Sequence, residues 1–395
     1  MAKLIDITGK PFSGEWGTDD EIGNGIPVLR TTNFTNKGVV DYSDVVMRCI
    51  GKKNIEDKYL QYGDIILEKS GGSDKQPVGR VVFFDGAEHK YLFNNFTGLL
   101  RIKDKNKWVP KFVFYSLFAS YLRGETRNFE NKTTGLHNLK IDLYMSNIEV
   151  NDFPYAKQMD VVKKIDKLNF LIELKEKQIE KLDLLVKSRF IEMFGDIESG
   201  QYQYATQKLG TVAKVGSSHR VFTTEFVKEG IPFYRGTEIS QLSEGKIPLN
   251  PFYITEEHYK RLVLDDNKPM IGDLLMPSIC DKGQVWMINT NKPFYYKDGR
   301  VLSISPNKHI LNPKYLKFFM KEKTIIEYPK LGSGSTFAEF KIFILKDIEV
   351  LVPPMYLQNQ FADFVQQVDK SKLAIQQSLE KLETLKKSLM QEYFG

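Results

Sequence analysis

Ile148-Glu149-Val150 returns as Ile348-Glu349-Val350. Pro154 returns as Pro354, Gln158 as Gln358, and Glu180-Lys181-Leu182 as Glu380-Lys381-Leu382. Lys187-Ser188 returns as Lys387-Ser388, and Phe194-Gly195 as Phe394-Gly395. Each residue lies 200 positions after its counterpart, so the two stretches align without a gap. The chain is therefore read as two copies of one unit.

The duplication extends upstream. Lys3-Leu4 and Lys208-Leu209 open the two halves, and Gly25-Ile26-Pro27 with Arg30 matches Gly230-Ile231-Pro232 with Arg235. Gly63-Asp64 followed by Ile65-Ile66-Leu67 matches Gly272-Asp273 followed by Leu274-Leu275-Met276. Pro110-Lys111 matches Pro313-Lys314, and Lys140-Ile141 matches Lys341-Ile342. The offset drifts between these anchors, so the frame is shared while the connecting loops differ, and loops are where binding function tends to sit.

Each half opens with a mixed region of about 150 residues. Short β-branched and aromatic runs split by Gly, Asn and Asp, such as Val78 to Gly86, read as strands and turns. One stretch per half reads as helix, Val109 to Leu122 and Asn312 to Lys323. A long helix follows each mixed region. Pro154 and Pro353-Pro354 mark its start; Gly195 and Gly395 stand where a C-terminal glycine is favoured. Ile165, Ile172, Ile179, Val186 and Met193 recur every seventh residue, as do Phe361, Val368, Ile375, Leu382 and Leu389. Lys175 and Arg189 interrupt the partner row of the first helix. Sustained heptads predict a coiled-coil seam; a helix packed on its own domain is the plainer alternative. Nearly 40 residues at ~1.5 Å each span ~60 Å, longer than a small domain is wide. The expected fold is α+β: two repeated mixed α/β domains, each followed by a long helix, the helices pairing as an antiparallel coiled coil. The boundaries are 1–147, 148–197 for the first helix, 198–347, and 348–395 for the second.

The chain has 395 residues, 42% hydrophobic and 12% aromatic, enough to bury ordinary cores. A net charge of +6 and a pI near 8.8 give a mild basic bias, compatible with nucleic acid without requiring it. Cys49 and Cys280 occupy unmatched positions and form no CxxC, and read as free thiols in a reducing compartment. Without a signal-like N-terminus or an apolar run of ~18 residues, a cytoplasmic, soluble protein with no membrane association is expected.

The order of these segments resembles the specificity (S) subunits of type I restriction–modification enzymes. The signs are the head–helix–head–helix order, the duplicated Gly-Ile-Pro-x-x-Arg and Gly-Asp-aliphatic segments, and the Ile-Glu-Val…Pro…Gln run before each helix. The match spans essentially the whole chain. It implies that 1–147 and 198–347 are target recognition domains, each reading one half of a split double-stranded DNA sequence. It also implies that the helices act as a ruler and dock two methyltransferase (modification) subunits, with restriction subunits completing the complex. The S subunit is then not catalytic. S-adenosylmethionine, ATP and Mg²⁺ belong to the partners, and this chain carries no cofactor or metal. Sequence specificity in methylation and phage defence follow from the same resemblance.

A DNA reader needs phosphate contacts for affinity and base-edge contacts for choice. In the first head the candidates are Arg30, Thr31, Thr32, Asn33, Lys69, Ser70, Ser73, Lys75 and Gln76, then Asn94, Asn95, Lys132, Thr133, Thr134 and His137. In the second they are Arg235, Thr237, Glu238, Ser278, Asp281, Lys282, Gln284 and Arg300, then Ser333, Ser335, Thr336 and Lys341. Arg suits guanine, Asn and Gln suit adenine, and Ser and Thr suit phosphates or thymine methyls. Each singly is also an ordinary solvated loop residue. Arg30 and Arg235 stand out because the repeat pairs them, although a shared structural salt bridge would leave the same mark. Since the loops differ, the half-sites should differ.

Enzyme signals are weak. Gly332-Ser333-Gly334-Ser335-Thr336 lacks the GxxxxGK[ST] pattern and reads as a turn. Asn250-Pro251-Phe252-Tyr253 lacks the second proline of the amino-methyltransferase motif. The five histidines have no metal-ligand spacing. Glu173-Leu174-Lys175 falls inside the long helix. Adjacent acids such as Asp265-Asp266 read as solvated surface. The rival readings are a self-contained nuclease or methyltransferase, a coiled-coil adaptor binding proteins, and a specificity subunit serving a stand-alone methyltransferase.

Overall fold

The duplicated Lys-Leu and Ile-Glu-Val segments turn out to be each other's partners. In a computed structural model, which describes residues 1–52, 54–133, 136–264, 268–332 and 338–395, the strand Ala2–Lys3 pairs antiparallel with Glu149–Val150, and Thr206–Lys208 with Glu349–Leu351. Lys3 faces Glu149 and Lys208 faces Glu349. The Leu4 N–H donates to Ile148 O (2.9 Å), and the Leu209 N–H to Ile348 O (2.8 Å). Each mixed region is thus closed where the chain leaves it, with Leu4, Val150, Leu209 and Val350 fully buried.

The fold is α+β, and the two heads share their sheet topology. In the first, the strands Phe12–Ser13, Thr97–Leu100, Ile65–Glu68 and Val81–Phe83 form one antiparallel sheet in that order. In the second, Ala213–Ser217, Val301–Pro306, Leu274–Pro277 and Trp286–Met287 repeat it. A second sheet carries one parallel pairing in each head: Val28 opposite Leu92, and Phe233 opposite Tyr295. The first head also has a three-stranded sheet ordered Glu130–Thr133, Leu136–Leu139, Ser70–Gly72.

The Gly-Asp motif supplies the turn into the central strand. Gly63 and Gly272 have φ of +93° and +92°, which glycine adopts without a Cβ clash. The following carboxylate caps the turn: Asp64 Oδ2 accepts from the Gln61 N–H (2.8 Å), and Asp273 Oδ2 from the Met270 N–H (3.0 Å). The first head adds a clamp at this carboxylate. Arg101 donates twice to Asp64 (2.9 and 2.7 Å) and to the Asp57 and Tyr59 carbonyls. Asp273 instead has its pKa raised, by burial.

Helices cover each main sheet. The head helices Pro110–Leu122 and Pro313–Glu327 both begin with proline, where the missing N–H costs nothing. The long helices run Tyr155–Phe194 and Met355–Phe394. By its contacts the chain divides into two units through both long helices: residues 1–176 with 376–395, and 177–375. Each unit therefore holds one head, the start of the helix that follows it and the end of the other helix. In the first unit, Val161 and Ile165 share a core with Phe112, Tyr144 and Phe394. In the second, Phe361 and Val368 share one with Val186, Phe190, Phe194 and Tyr315. Within the second unit the two helical segments run antiparallel: Asp183 pairs with Lys372 (2.6 Å), and Phe190 and Phe194 lie against Phe361 (5.4 and 5.7 Å). The seventh-residue rows are most buried where they meet the heads; Ile179, Ile375 and Leu382, mid-row, are half-buried.

Gln158 and Gln358 explain why the repeat keeps a polar residue on a buried face. Both are fully buried. Gln158 Oε1 accepts from the Val109 N–H (2.9 Å), and its amide donates to Lys107 O and Phe153 O (3.0 and 2.8 Å). Gln358 Oε1 accepts from the Asn312 N–H (2.9 Å), and its amide donates to Ile310 O and Pro353 O (2.9 and 2.8 Å). Val109 and Asn312 are the N-caps of the head helices, so one side chain fixes the angle between the two helices of a unit. Replacing either glutamine by leucine strands three buried polar groups, each costing about 1–3 kcal/mol. We expect Gln158→Leu and Gln358→Leu each to lower stability by about 3 kcal/mol or more, read as a drop in urea midpoint. A loss below about 1 kcal/mol in both would remove the glutamine from this role.

Candidate nucleic-acid interface

The Arg30 and Arg235 turns are built alike. Arg30 and Arg235 follow the strands Ile26–Leu29 and Ile231–Tyr234 and lead into a helical turn. The backbone N–H of Arg30 donates to Asn33 Oδ1 (2.8 Å), and that of Arg235 to Glu238 Oε2 (2.8 Å). Asn33 and Glu238 are buried caps. Asn33 also donates to the Asp41 and Asp44 carbonyls (both 2.9 Å), so its side chain is occupied by the fold. Glu238 holds the Arg235 guanidinium by two bonds (3.1 and 2.8 Å), and that guanidinium lies over the Phe252 ring at 4.5 Å. Burial pushes the Glu238 carboxyl up, but the Arg235 contacts outweigh it and leave its pKa below the usual range. Arg30 meets Asp44 at 3.0 Å, and its Nε is buried with no hydrogen-bond partner among the described residues. Both arginines are thus held from behind, with Arg235 the more open of the two.

In the first head, backbone and side-chain bonds bring the candidate segments together. Arg80 forms a bidentate pair with buried Glu68 (3.0 and 2.8 Å) and donates to Thr31 O and Phe34 O. It ties the Arg30 turn to the strand that runs into Lys69 and Ser70. The N–H groups of Lys69 and Ser70 donate to Phe96 O (2.8 and 3.2 Å), beside Asn94 and Asn95. Ser70 pairs with Asn138 and Gly72 with His137, while Lys132 and Thr133 enter by backbone register opposite His137 and Leu136. Ser73 and Gln76 close a turn on each other (2.7 and 3.2 Å), with Lys75 exposed at its tip. Thr32 and Asn95 are exposed. Among the described residues three candidates lie inside: Asn33; Asn94, whose Oδ1 has no hydrogen-bond partner among them; and His137, flanked by Glu130 (3.1 Å) and Asp74 (3.6 Å). Lys69 is half-buried; burial, then the Lys58 charge, lowers its pKa, so an anion beside it would favour its charged form.

The second head gathers its candidates similarly. The Ser278 N–H donates to Arg300 O (2.9 Å), and the Phe340 N–H to Ser278 O (2.8 Å). Glu339 pairs with both Arg300 and Lys341, the latter at 2.7 Å. Asp281, Lys282 and Gln284 form a self-bonded turn (2.8 and 3.0 Å). Ser278 is buried, while Thr237, Asp281, Lys282, Arg300 and Lys341 are exposed and Gln284 is half-buried. Thr134, Ser333, Ser335 and Thr336 lie outside the described residues, as do most of the glycine-serine stretch and Asp265-Asp266.

The segments weighed as enzyme motifs have structural surroundings. Phe252 belongs to the strand Phe252–Ile254 and stacks on Phe226 at 4.6 Å. Glu173 and Lys175 lie within the first long helix. Cys49 and Cys280 are free thiols; burial pushes the latter's pKa up to about 11. Among the described residues no acid, histidine or cysteine cluster could hold a metal ion, and no helix is long and apolar enough to cross a membrane. Sequence reasoning missed Arg80 and Arg101, whose pairing with buried carboxylates needs the fold to be seen, and Phe96, an exposed aromatic inside the candidate surface.

The chain thus presents two similar heads, each with a long helix and a polar loop surface. The fold matches the type I restriction–modification S subunit from M. genitalium over 100% of this chain and 95% of that one (TM-score 0.53, 14% identity). It matches a chain from a structure of type I R-M complex assembly over 100% and 96% (TM-score 0.55, 14% identity). Residues 202–386 match the family described as the type I restriction modification DNA specificity domain. A protein assigned as the type I restriction enzyme MjaX specificity subunit of Methanocaldococcus jannaschii is 25% identical over 169 residues, 41% of this chain and 39% of that protein. The matched segment thus spans about two fifths of that relative's length. The chain is similar in fold to type I specificity subunits, and its residues 202–386 are similar to the DNA specificity domain of that family.

The unlike surroundings of the two Gly-Asp carboxylates make a direct test of this frame. Asp64→Asn breaks a buried pair with Arg101 and should cost about 3–5 kcal/mol. Asp273→Asn can still cap Met270. Because folding raises the Asp273 pKa, the ionised group opposes folding at neutral pH. Its favourable contribution belongs below the unfolded value of 3.8 and is lost as pH rises through the folded one. Asp273→Asn should therefore match or exceed the native stability at pH 7, with any advantage fading in acid. Urea unfolding at pH 7 and under acid conditions reads both; equal losses at pH 7 would refute the distinction.

Proposed function

We propose that this chain is the DNA sequence-specificity subunit of a type I restriction–modification system. The observation that carries the proposal is the duplicated frame bearing unlike polar loops at matched places, together with the specificity-domain match. Each head reads one half of a bipartite, asymmetric double-stranded target, and the long helices, paired as an antiparallel coiled coil, set the gap between the halves. The same helices dock two modification subunits, and restriction subunits join that complex. The chain itself is non-catalytic and works in the cytoplasm. Methyl transfer with S-adenosylmethionine, and ATP- and Mg²⁺-dependent restriction, belong to the partners. The domain boundaries follow: 1–147 and 198–347 as target recognition domains, 148–197 and 348–395 as spacer helices.

Affinity on this reading comes from lysine and arginine neutralising phosphates, so binding falls steeply with salt. Choice comes from base-edge contacts made by the exposed loop residues. A map of methylated bases in the source cells, with and without this gene, tests the proposal. Loss of one split, asymmetric motif on deletion is the expected result. An unchanged map would move a protein-binding adaptor to the front, and methyl transfer to DNA by the isolated chain would revive a self-contained methyltransferase. The restriction partner is tested by the same deletion: loss of methylation without any change in phage restriction would indicate a stand-alone methyltransferase.

The ruler makes its own prediction. Inserting one helical turn after Lys177 and another after Gln377 lengthens the paired segment by about 5.4 Å. At about 3.4 Å per base pair, the methylated motif should gain one or two spacer base pairs while both half-sites stay the same. An active variant with an unchanged spacer would refute the ruler.

A further inference from the structure

The two heads share one more position, which the sequence offsets alone did not reveal. In each head, the strand in the parallel pairing is followed by a short turn and then by the strand next to the central one. The turn runs from Phe93 to Thr97 in the first head and from Tyr296 to Val301 in the second. Phe96 O accepts the Lys69 N–H at 2.8 Å, and Arg300 O accepts the Ser278 N–H at 2.9 Å. Lys69 and Ser278 each stand five residues after the aspartate of the Gly-Asp motif. The pairings beyond agree, with Thr97 opposite Glu68 and Val301 opposite Pro277. Phe96 and Arg300 are therefore the same position of the repeated frame, each fixed through its backbone carbonyl and each with its side chain open to solvent. Phe96 is 50% exposed, and the Arg300 side chain 61%.

The chemistry at that position differs as completely as two side chains allow. Arg300 is braced by Glu339, which also holds Lys341. A guanidinium has five N–H donors, so a carboxylate on one edge leaves a fork for another acceptor pair. The major-groove edge of guanine, O6 with N7, fits that fork. Phe96 has no polar group and adjoins Asn95 and Ser70; of the features that base pairs present, it suits the C5 methyl of thymine.

Resting on the DNA-reading function proposed above, we propose that Phe96 and Arg300 are the paired specificity-determining residues of the two heads. Phe96 selects thymine in one half-site, and Arg300 selects guanine at the corresponding place in the other. The carbonyls, not the side chains, make the hairpin bonds, so substitution here leaves the frame intact.

The test is the methylated-base map of the source cells carrying Phe96→Ala or Arg300→Ala in the full chain. Arg300→Ala should relax one guanine position of one half-site, with discrimination falling roughly ten- to hundredfold and the other half-site unchanged. Phe96→Ala should relax one thymine position of the opposite half-site alone. Arg300→Met and Phe96→Val give the same readout should an alanine chain fail to accumulate. Even weakening of methylation at an unaltered motif would make these residues backbone contacts and overturn the assignment. So would relaxation at a base other than guanine or thymine. A split motif surviving both substitutions overturns this assignment alone; a wild-type map with no split motif overturns the specificity reading and takes the assignment with it.

Discussion

The architecture depends on a buried amide used twice. A glutamine side chain brings one acceptor and two N–H donors, and burying it without partners would cost several kcal/mol. Gln158 and Gln358 sit on the inner face of a long helix, one turn past its start, and find the same three backbone partners in each unit. The partners come from the segment just before the head helix and from the residue before the helix-starting proline. A hydrophobic side chain would pack there in several ways. An amide with all its groups matched admits one, so it sets how the long helix leaves its head. Every other contact of the long helix, from Val161 and Ile165 in one unit to Phe361 and Val368 in the other, inherits that angle.

The carboxylate of the Gly-Asp motif shows how one frame tolerates different electrostatics. Asp64 and Asp273 perform the same cap on the same glycine-led turn. Around Asp64, Arg101 donates two hydrogen bonds to the carboxylate. Around Asp273, backbone and side-chain hydrogen bonds offset burial only in part, and the pKa rises. The cap is geometric and survives either solution. The salt bridge is local to one head, which is why the repeat preserves the aspartate without preserving its arginine.

Much of this was legible in the sequence because backbone demands repeat. Pro110 and Pro313 open the head helices, Gly63 and Gly272 take positive φ, Lys3-Leu4 meets Ile148-Glu149-Val150, and Lys208-Leu209 meets Ile348-Glu349-Val350; all of these left paired marks. The head helix ends were close as well, at Leu122 and at Glu327 against an expected Lys323. What was not legible lies where side chains meet across loops of unequal length. The burial of Asn33, Asn94, His137 and Ser278 follows from neighbours far along the chain, and a polar letter in a loop does not say which way it faces. The heptads were visible, but not that their most buried positions belong to the head cores: Ile165 shares a core with Phe112, and Phe361 packs against Tyr315. Nor was the equivalence of Phe96 and Arg300, since it is expressed in a carbonyl hydrogen bond and not in residue type.

That division of labour has a physical consequence. The residues that repeat are those whose work is internal: caps, turns, closing strands and buried amides. Their energies are large and geometric, and a change at any of them is felt as instability. The residues that differ at matched places stand on carbonyls and N–H groups already bonded by the frame, so their side chains can change without unfolding the turn that carries them. Exposed substitutions of this kind typically alter stability by less than about 0.5 kcal/mol, while one good base contact alters discrimination by about 1–3 kcal/mol. If the heads read DNA as proposed, a scaffold with that ratio can be retargeted one half at a time, and each head varies its choice without asking the fold to accommodate anything new.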